Sequence, residues 1–219
     1  MTPWLLLAIP FLGAGLGLLM NASLQRMKTV ALATTGMSLL AVIGTSLVQS
    51  EPAAAMSWLC LLPVTAFLTL LGQPLHRDNS SAWIMTLILL GVALGILTSR
   101  AAAHEFLLML LLGLVCGLLY RHQQGSAPAT WRGMSSFGLG IVTTVMALAL
   151  PAPASTIAAL VTCATLLPLL PLHSGFVAAL SVLPGNLPAW LAFILPIAGF
   201  HSLLLLLPSL SGTALKTVA

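Results

Sequence analysis

Few residues in this chain could do chemistry, and their surroundings narrow what that chemistry would be. Of the three acidic side chains, Glu51 and Asp78 stand in polar stretches, while Glu105 follows His104 at the start of a long apolar run. A carboxylate beside an imidazole at a membrane boundary can accept protons at the mouth of a half-channel. The same Glu105 also suits the first turn of a helix, where the positive end of the macrodipole favours an acid. His173 falls in the run Pro168-Leu169-Leu170-Pro171-Leu172-His173-Ser174-Gly175. Its prolines free backbone carbonyls, and such a break is tolerated inside a membrane where it lines a cavity or is buried in protein. There His173 reads either as a proton relay or as an interfacial residue that ends a helix. His201 lies deep in an apolar run, placed for a buried interhelical hydrogen bond or for a relay. His76 and His122 belong to loops.

Little else on the chain offers a reaction. No pair of carboxylates is spaced for acid–base work, and no phosphate-binding glycine loop, nucleophile elbow, two-histidine metal helix or haem-binding cysteine pair is present. Cys60, Cys116 and Cys163 are isolated in apolar runs, without metal-ligand spacing, and read as small buried hydrophobes. No catalytic residue, metal site or cofactor is therefore expected. The basic residues sit in loops and report topology rather than a nucleic-acid surface.

The elements that would carry these residues are membrane helices. The 219 residues are 59% hydrophobic and 5% charged, with a mean hydropathy of +1.13, a balance that a water-soluble domain of this length could not bury. A crossing needs roughly 20 apolar residues, and the apolar runs give about eight spans, at about 4–20, 29–48, 57–72, 82–98, 104–120, 133–150, 154–172 and 188–207. The expected fold is all-α and polytopic, a single transmembrane domain with a proline-broken seventh helix. The first run has no basic flank of the kind that precedes a cleaved leader, so it is expected to be a retained span.

Small residues four apart lie on one helix face and mark close helix contacts. On this basis Gly13 and Gly17, Gly91 and Gly95, and Gly113 and Gly117 are expected packing positions. Arg26, Lys28, Arg77, Arg121 and Arg132 fall on one side of an eight-span topology, against Arg100 and Lys216 on the other. The positive-inside bias then puts both termini on the outer side, periplasmic in a bacterial inner membrane. Trp4, Trp58, Trp83, Trp131 and Trp190 all fall near span ends, as interfacial aromatics do.

The break itself, Pro168-Leu169-Leu170-Pro171-Leu172-His173-Ser174-Gly175, resembles the Pro-Leu-His-containing break in the seventh helix of the antiporter-like, proton-pumping subunits of respiratory NADH:quinone oxidoreductase and of the Mrp sodium/proton antiporters. The stretches 57–71, 90–97 and 106–120 are similar to the third, fourth and fifth helices of that family, so the resemblance covers this chain and the N-terminal half of a usual member. It implies a subunit that sits among other membrane subunits of a hetero-oligomeric complex. Relatives of the family also serve in membrane-bound hydrogenases and in inorganic-carbon uptake systems.

The departures from the family are chemical. The fifth-helix glutamate of the family corresponds to Leu110 or a close neighbour, its seventh-helix lysine to Leu166 and its eighth-helix lysine to about Pro196. The resemblance thus implies the scaffold of a pump without the groups that hold charge, hence a structural or docking role. The competing expectation is a self-contained transporter of protons or a small solute, working at the break around His173. In either case Glu105, His173 and His201 are the relay candidates.

Overall fold

The computed structural model describes residues 4–20, 23–49, 53–100, 102–122 and 128–218. Among them all regular structure is helical: α1 Trp4–Leu19, α2 Leu24–Gln49, α3 Ala53–Leu71, α4 Ser80–Thr98, α5 Ala102–His122, α6 Pro128–Ala149, α7 Ala154–Leu166, α8 Ser174–Val182 and α9 Leu187–Val218, with a single 3-10 turn at Arg77–Asn79. Five stretches, Leu24–Thr45, Ser80–Thr98, Ala102–His122, Thr130–Ala149 and Leu187–Pro208, are long and apolar enough to cross a bilayer, and Leu6–Leu19, Trp58–Leu71 and Ala154–Leu166 are apolar but shorter. These correspond to the eight runs expected from hydropathy. The protein is an all-α, polytopic integral membrane protein, and side chains such as Leu12, Leu40 and Leu170 lie exposed on it as lipid contact requires. Glu51 lies outside the described residues, as do the side chains of Trp4, Asp78 and Lys216.

The chain divides by contact into two compact units. Unit 1 comprises Met1–Arg100 and Leu183–Ile194. Helix α4 is its centre, packed against α1, α2 and α3 and buried on nearly every face, as a helix apolar all round should be. Ala14, Met27, Ala31, Leu70, Trp83, Ile84 and Leu87 form one apolar cluster. Close approach is set by small residues: a Cβ on Gly13 would fall 2.3 Å from Thr34 Oγ1, and one on Gly91 would fall 3.0 Å from the Phe11 ring. Gly95 is buried on the same helix, and Gly17 leaves ordinary contact distance to Ile84.

Two polar devices close the ends of unit 1. The Lys28 ammonium donates to the carbonyl oxygens of Leu71 and Gln73, placing positive charge at the C-terminus of α3, where the helix dipole favours it. The turn into α9 passes through Gly185 at φ +65°, with Ala82 Cβ 3.0 Å and Asn79 Oδ1 3.1 Å from where a Cβ would sit. Only glycine meets both conditions without strain. Next to it Asn186 Nδ2 donates to Thr86 Oγ1 at 2.8 Å.

Unit 2 comprises Ala101–Val182 and Leu195–Ala219. Helix α6 contacts α5, α7 and α8. The α6–α7 seam is polar: Thr143 Oγ1 and Thr144 Oγ1 lie 2.9 and 3.2 Å from Thr162 Oγ1. A Cβ on Gly140 would fall 2.6 Å from Thr165 Oγ1. These hydroxyls also bond backbone carbonyls, as with Thr144 to Gly140 O at 2.7 Å and Thr165 to Thr162 O at 2.7 Å, the usual way that a membrane helix satisfies Ser and Thr.

The seventh span is shorter than its apolar run indicates. Expected to reach Leu172, the helix stops at Leu166, and Leu167 is extended at φ −78°, ψ 123°. A residue before proline is driven out of the helical region by the proline Cδ, and Leu167 precedes Pro168. The chain then turns through Leu167–His173, and α8 restarts the helix at Ser174 with Val177 N–H donating to His173 O at 3.0 Å. At 13 residues α7 is about 20 Å long, well under the ~30 Å hydrocarbon thickness, so α7, the turn and α8 share the work of this segment. At the other extreme α9 runs on through Pro208 to Val218, past the end expected at Leu207. A proline costs one backbone bond, which a membrane helix tolerates when its neighbours hold it.

Candidate functional site

Unit 2 contains a cavity of about 360 Å³. Each helix reaches it through residues at helical spacing. His104, Glu105 and Leu108 come from the first turns of α5, Ala147 and Leu148 from the end of α6, Ala159 and Cys163 from one face of α7, and Ser202, Leu205 and Leu206 from α9. The α5 face that starts with His104 continues through Leu108, Leu111, Leu112 and Val115, all buried. The histidine is thus held by the same apolar stripe that packs the helix.

His104 is 3% exposed, and its Nε2 lies 2.9 Å from Ser202 Oγ. Ser202 Oγ also donates to Ala198 O at 2.8 Å. A hydroxyl has one proton to give; with that proton on the Ala198 carbonyl, Ser202 accepts from His104. The network therefore assigns the Nε2–H form to His104. The His201 ring lies 5.6 Å from the His104 ring, centroid to centroid, tilted at 55°, and its Nε2 is buried without a protein hydrogen-bond partner. Glu105 Oε2 is buried and likewise unpartnered. An ionisable group with a buried, unpartnered atom inside a membrane is costly, and Glu105 and His201 each carry one.

His173 is not part of this group. It sits at the turn before α8, with a buried and unpartnered Nδ1, and its neighbour Leu172 accepts a hydrogen bond from Ser136 Oγ at 2.8 Å. Ser136 belongs to the first half of α6 and the cavity touches Ala147 near its end; the two are eleven residues apart, about 16 Å of helix. The structure thus brings Glu105 and His201 to one end of unit 2 and leaves His173 at the other. The start of the break stays near α9, where a Cβ on Gly199 would fall 3.0 Å from Leu167 just before Pro168. The glycines of α5 also stand apart, since a Cβ on Gly113 or Gly117 would meet nothing within 4 Å.

Two cavity residues escaped the sequence reading. Ser202 is 98 positions from His104, and nothing local connects them. Cys163 reads as a small hydrophobe and lines the cavity as one wall among several. A weak signal did exist for Ser202, which follows His201 directly in an apolar run and so was a ready partner for a buried ring. Among the described residues no group of three or more His, Cys, Asp or Glu side chains could hold a metal ion. Comparison with protein families, with curated proteins and with solved structures finds no match to this chain.

Proposed function

We propose that this protein is a non-conducting membrane subunit of a larger ion- or redox-coupled complex, one that keeps the helix scaffold of the antiporter-like subunits and lacks their Glu/Lys proton route. The observation that carries this reading is the separation of its titratable groups. About 16 Å of α6 lies between the His104–Glu105–His201 group and His173, and the seam along that distance is filled by threonine hydroxyls bonded to one another and to carbonyls. These hydroxyls are neutral and engaged with one another and with carbonyls, which supports reading the seam as helix packing. The positions that correspond to the family's charged residues support the same reading. Leu166 is fully buried at a close contact with Gly199, and Leu110 is an exposed leucine on α5.

The partners are other membrane subunits, of a respiratory NADH dehydrogenase, a membrane hydrogenase or an inorganic-carbon uptake system. The membrane is the bacterial inner membrane, with both termini on the outer side, as the excess of Arg and Lys in alternate loops supports. Gly113 and Gly117, with open space over them, offer α5 as a face on which a partner helix can lie closely. Extraction in mild detergent tests this. The chain should co-purify at fixed stoichiometry with membrane subunits identified by mass spectrometry, and recovery as a solitary monomer or homodimer overturns the subunit reading.

A second reading, a self-contained transporter of protons or a small solute, is favoured by the cavity, because that is where an ionisable cluster and open volume coincide. Its site then lies at His104 and Glu105 rather than at the break.

A further inference from the structure

The cavity carries a group that packing does not use. Glu105 lines it, and Glu105 Oε2 is buried without a protein partner. Among the described residues no lysine or arginine lines the cavity, so Glu105, the one acidic side chain among them that does, has no cation from these residues there. The His104 Nε2–H that might have served it is bonded to Ser202 instead. The remaining walls are apolar, chiefly Leu108, Leu148, Leu205 and Leu206. Glu105 as a whole is half-buried, but a carboxylate oxygen buried without a partner is stabilised by protonation or by a cation that brings its own donors.

The chemistry of the walls decides which cation fits. A hard metal ion needs several oxygen ligands, and the lining offers the Glu105 carboxylate and a Ser202 hydroxyl already engaged in two bonds. Softer metals need clusters of His, Cys or acid ligands, which the described residues do not form. An organic ammonium supplies N–H donors for the carboxylate and an apolar chain for the leucines. At about 360 Å³ the space lies at the small end of ligand pockets, which run roughly 300–1,000 Å³. We propose that this cavity is a binding site for a small primary alkylammonium ion, with Glu105 as its counter-ion and the leucines of α5, α6 and α9 around its alkyl chain. The site stands whether the protein is a subunit or a transporter, since it concerns binding and not passage.

Calorimetric titration of the full chain in detergent with n-butylammonium tests the proposal, with 1-butanol and butyrate as the neutral and anionic comparators. Butylammonium should bind saturably and at least about tenfold more tightly than 1-butanol (about 1.4 kcal/mol), and butyrate should not bind. Glu105→Gln should remove that preference, Glu105→Asp should retain part of it, and Leu148→Trp should block both butylammonium and butanol by filling the space. Equal affinity for butylammonium and butanol, preference for butyrate, an unchanged Glu105→Gln variant, or no saturable binding to the folded native chain overturns it. If Glu105→Gln does not fold, the comparison of the three ligands on the native chain decides alone.

Discussion

Replacing Gly133 by alanine tests how the helix that follows the break is held. Gly133 lies in α6, and a Cβ there would fall 2.4 Å from Ala178 Cβ on α8 and 3.2 Å from Ser174 O. Carbon atoms in contact normally stand about 3.5–4.0 Å apart, so α6 and α8 must separate by about 1 Å. Neither obstacle is the flexible end of a long side chain. Overpacking of this kind costs about 1–3 kcal/mol, offset by up to ~1 kcal/mol from the better helix propensity of alanine. The net expectation is a loss of about 0–3 kcal/mol. Gly117→Ala is the matched control, because a Cβ there meets nothing within 4 Å and only the propensity gain of up to ~1 kcal/mol remains. Thermal unfolding in detergent, followed by tryptophan fluorescence, should place Gly133→Ala below Gly117→Ala, at about 2–4 °C for each kcal/mol between them. The reasoning fails if Gly117→Ala is the less stable of the two.

Three further substitutions probe the polar contacts. Thr162→Val removes the shared partner of Thr143 and Thr144 while both keep carbonyl acceptors, so unfolding should show a loss of about 0.5–1.5 kcal/mol; no change would mean that the α6–α7 seam does not rest on these bonds. Ser202→Ala strips the acceptor from a buried His104 N–H, and the same assay should report about 1–3 kcal/mol. Lys28→Met keeps the alkyl stem and removes the charge that caps α3; a loss of at most ~1 kcal/mol that shrinks as salt is added is expected, and a salt-independent loss would point to packing instead.

Hydropathy carried the architecture because a bilayer imposes one requirement on every crossing, a run of about 20 apolar residues, and the chain meets or approaches it eight times. Helix ends were less legible. Leucine is as apolar in a turn as in a helix, so the run through Leu172 concealed a helix that stops at Leu166; the stereochemistry before Pro168 was the better guide. The reverse held at Pro208, where α9 continues because one missing N–H is a small defect in a long helix. Glycine spacing shows that two residues share a face but not where that face points. Gly13 and Gly91 turn it toward a neighbour and Gly113 and Gly117 toward open space. For the candidate site, the sequence singled out Glu105 and His201, since a charged or titratable residue in an apolar run is visible anywhere. What it lacked was the pairing of His104 with Ser202 and the distance from both to His173, which exist only once α5, α6, α7 and α9 are packed.

Proton flux through the isolated chain bears most directly on the proposed role. With the full chain reconstituted into vesicles, a potassium diffusion potential imposed with valinomycin and internal pH read by a trapped dye, acidification should be no faster than in protein-free vesicles. Rapid, protein-dependent acidification that is lost on His173→Ala would contradict a non-conducting scaffold and make the break a working part of a proton path.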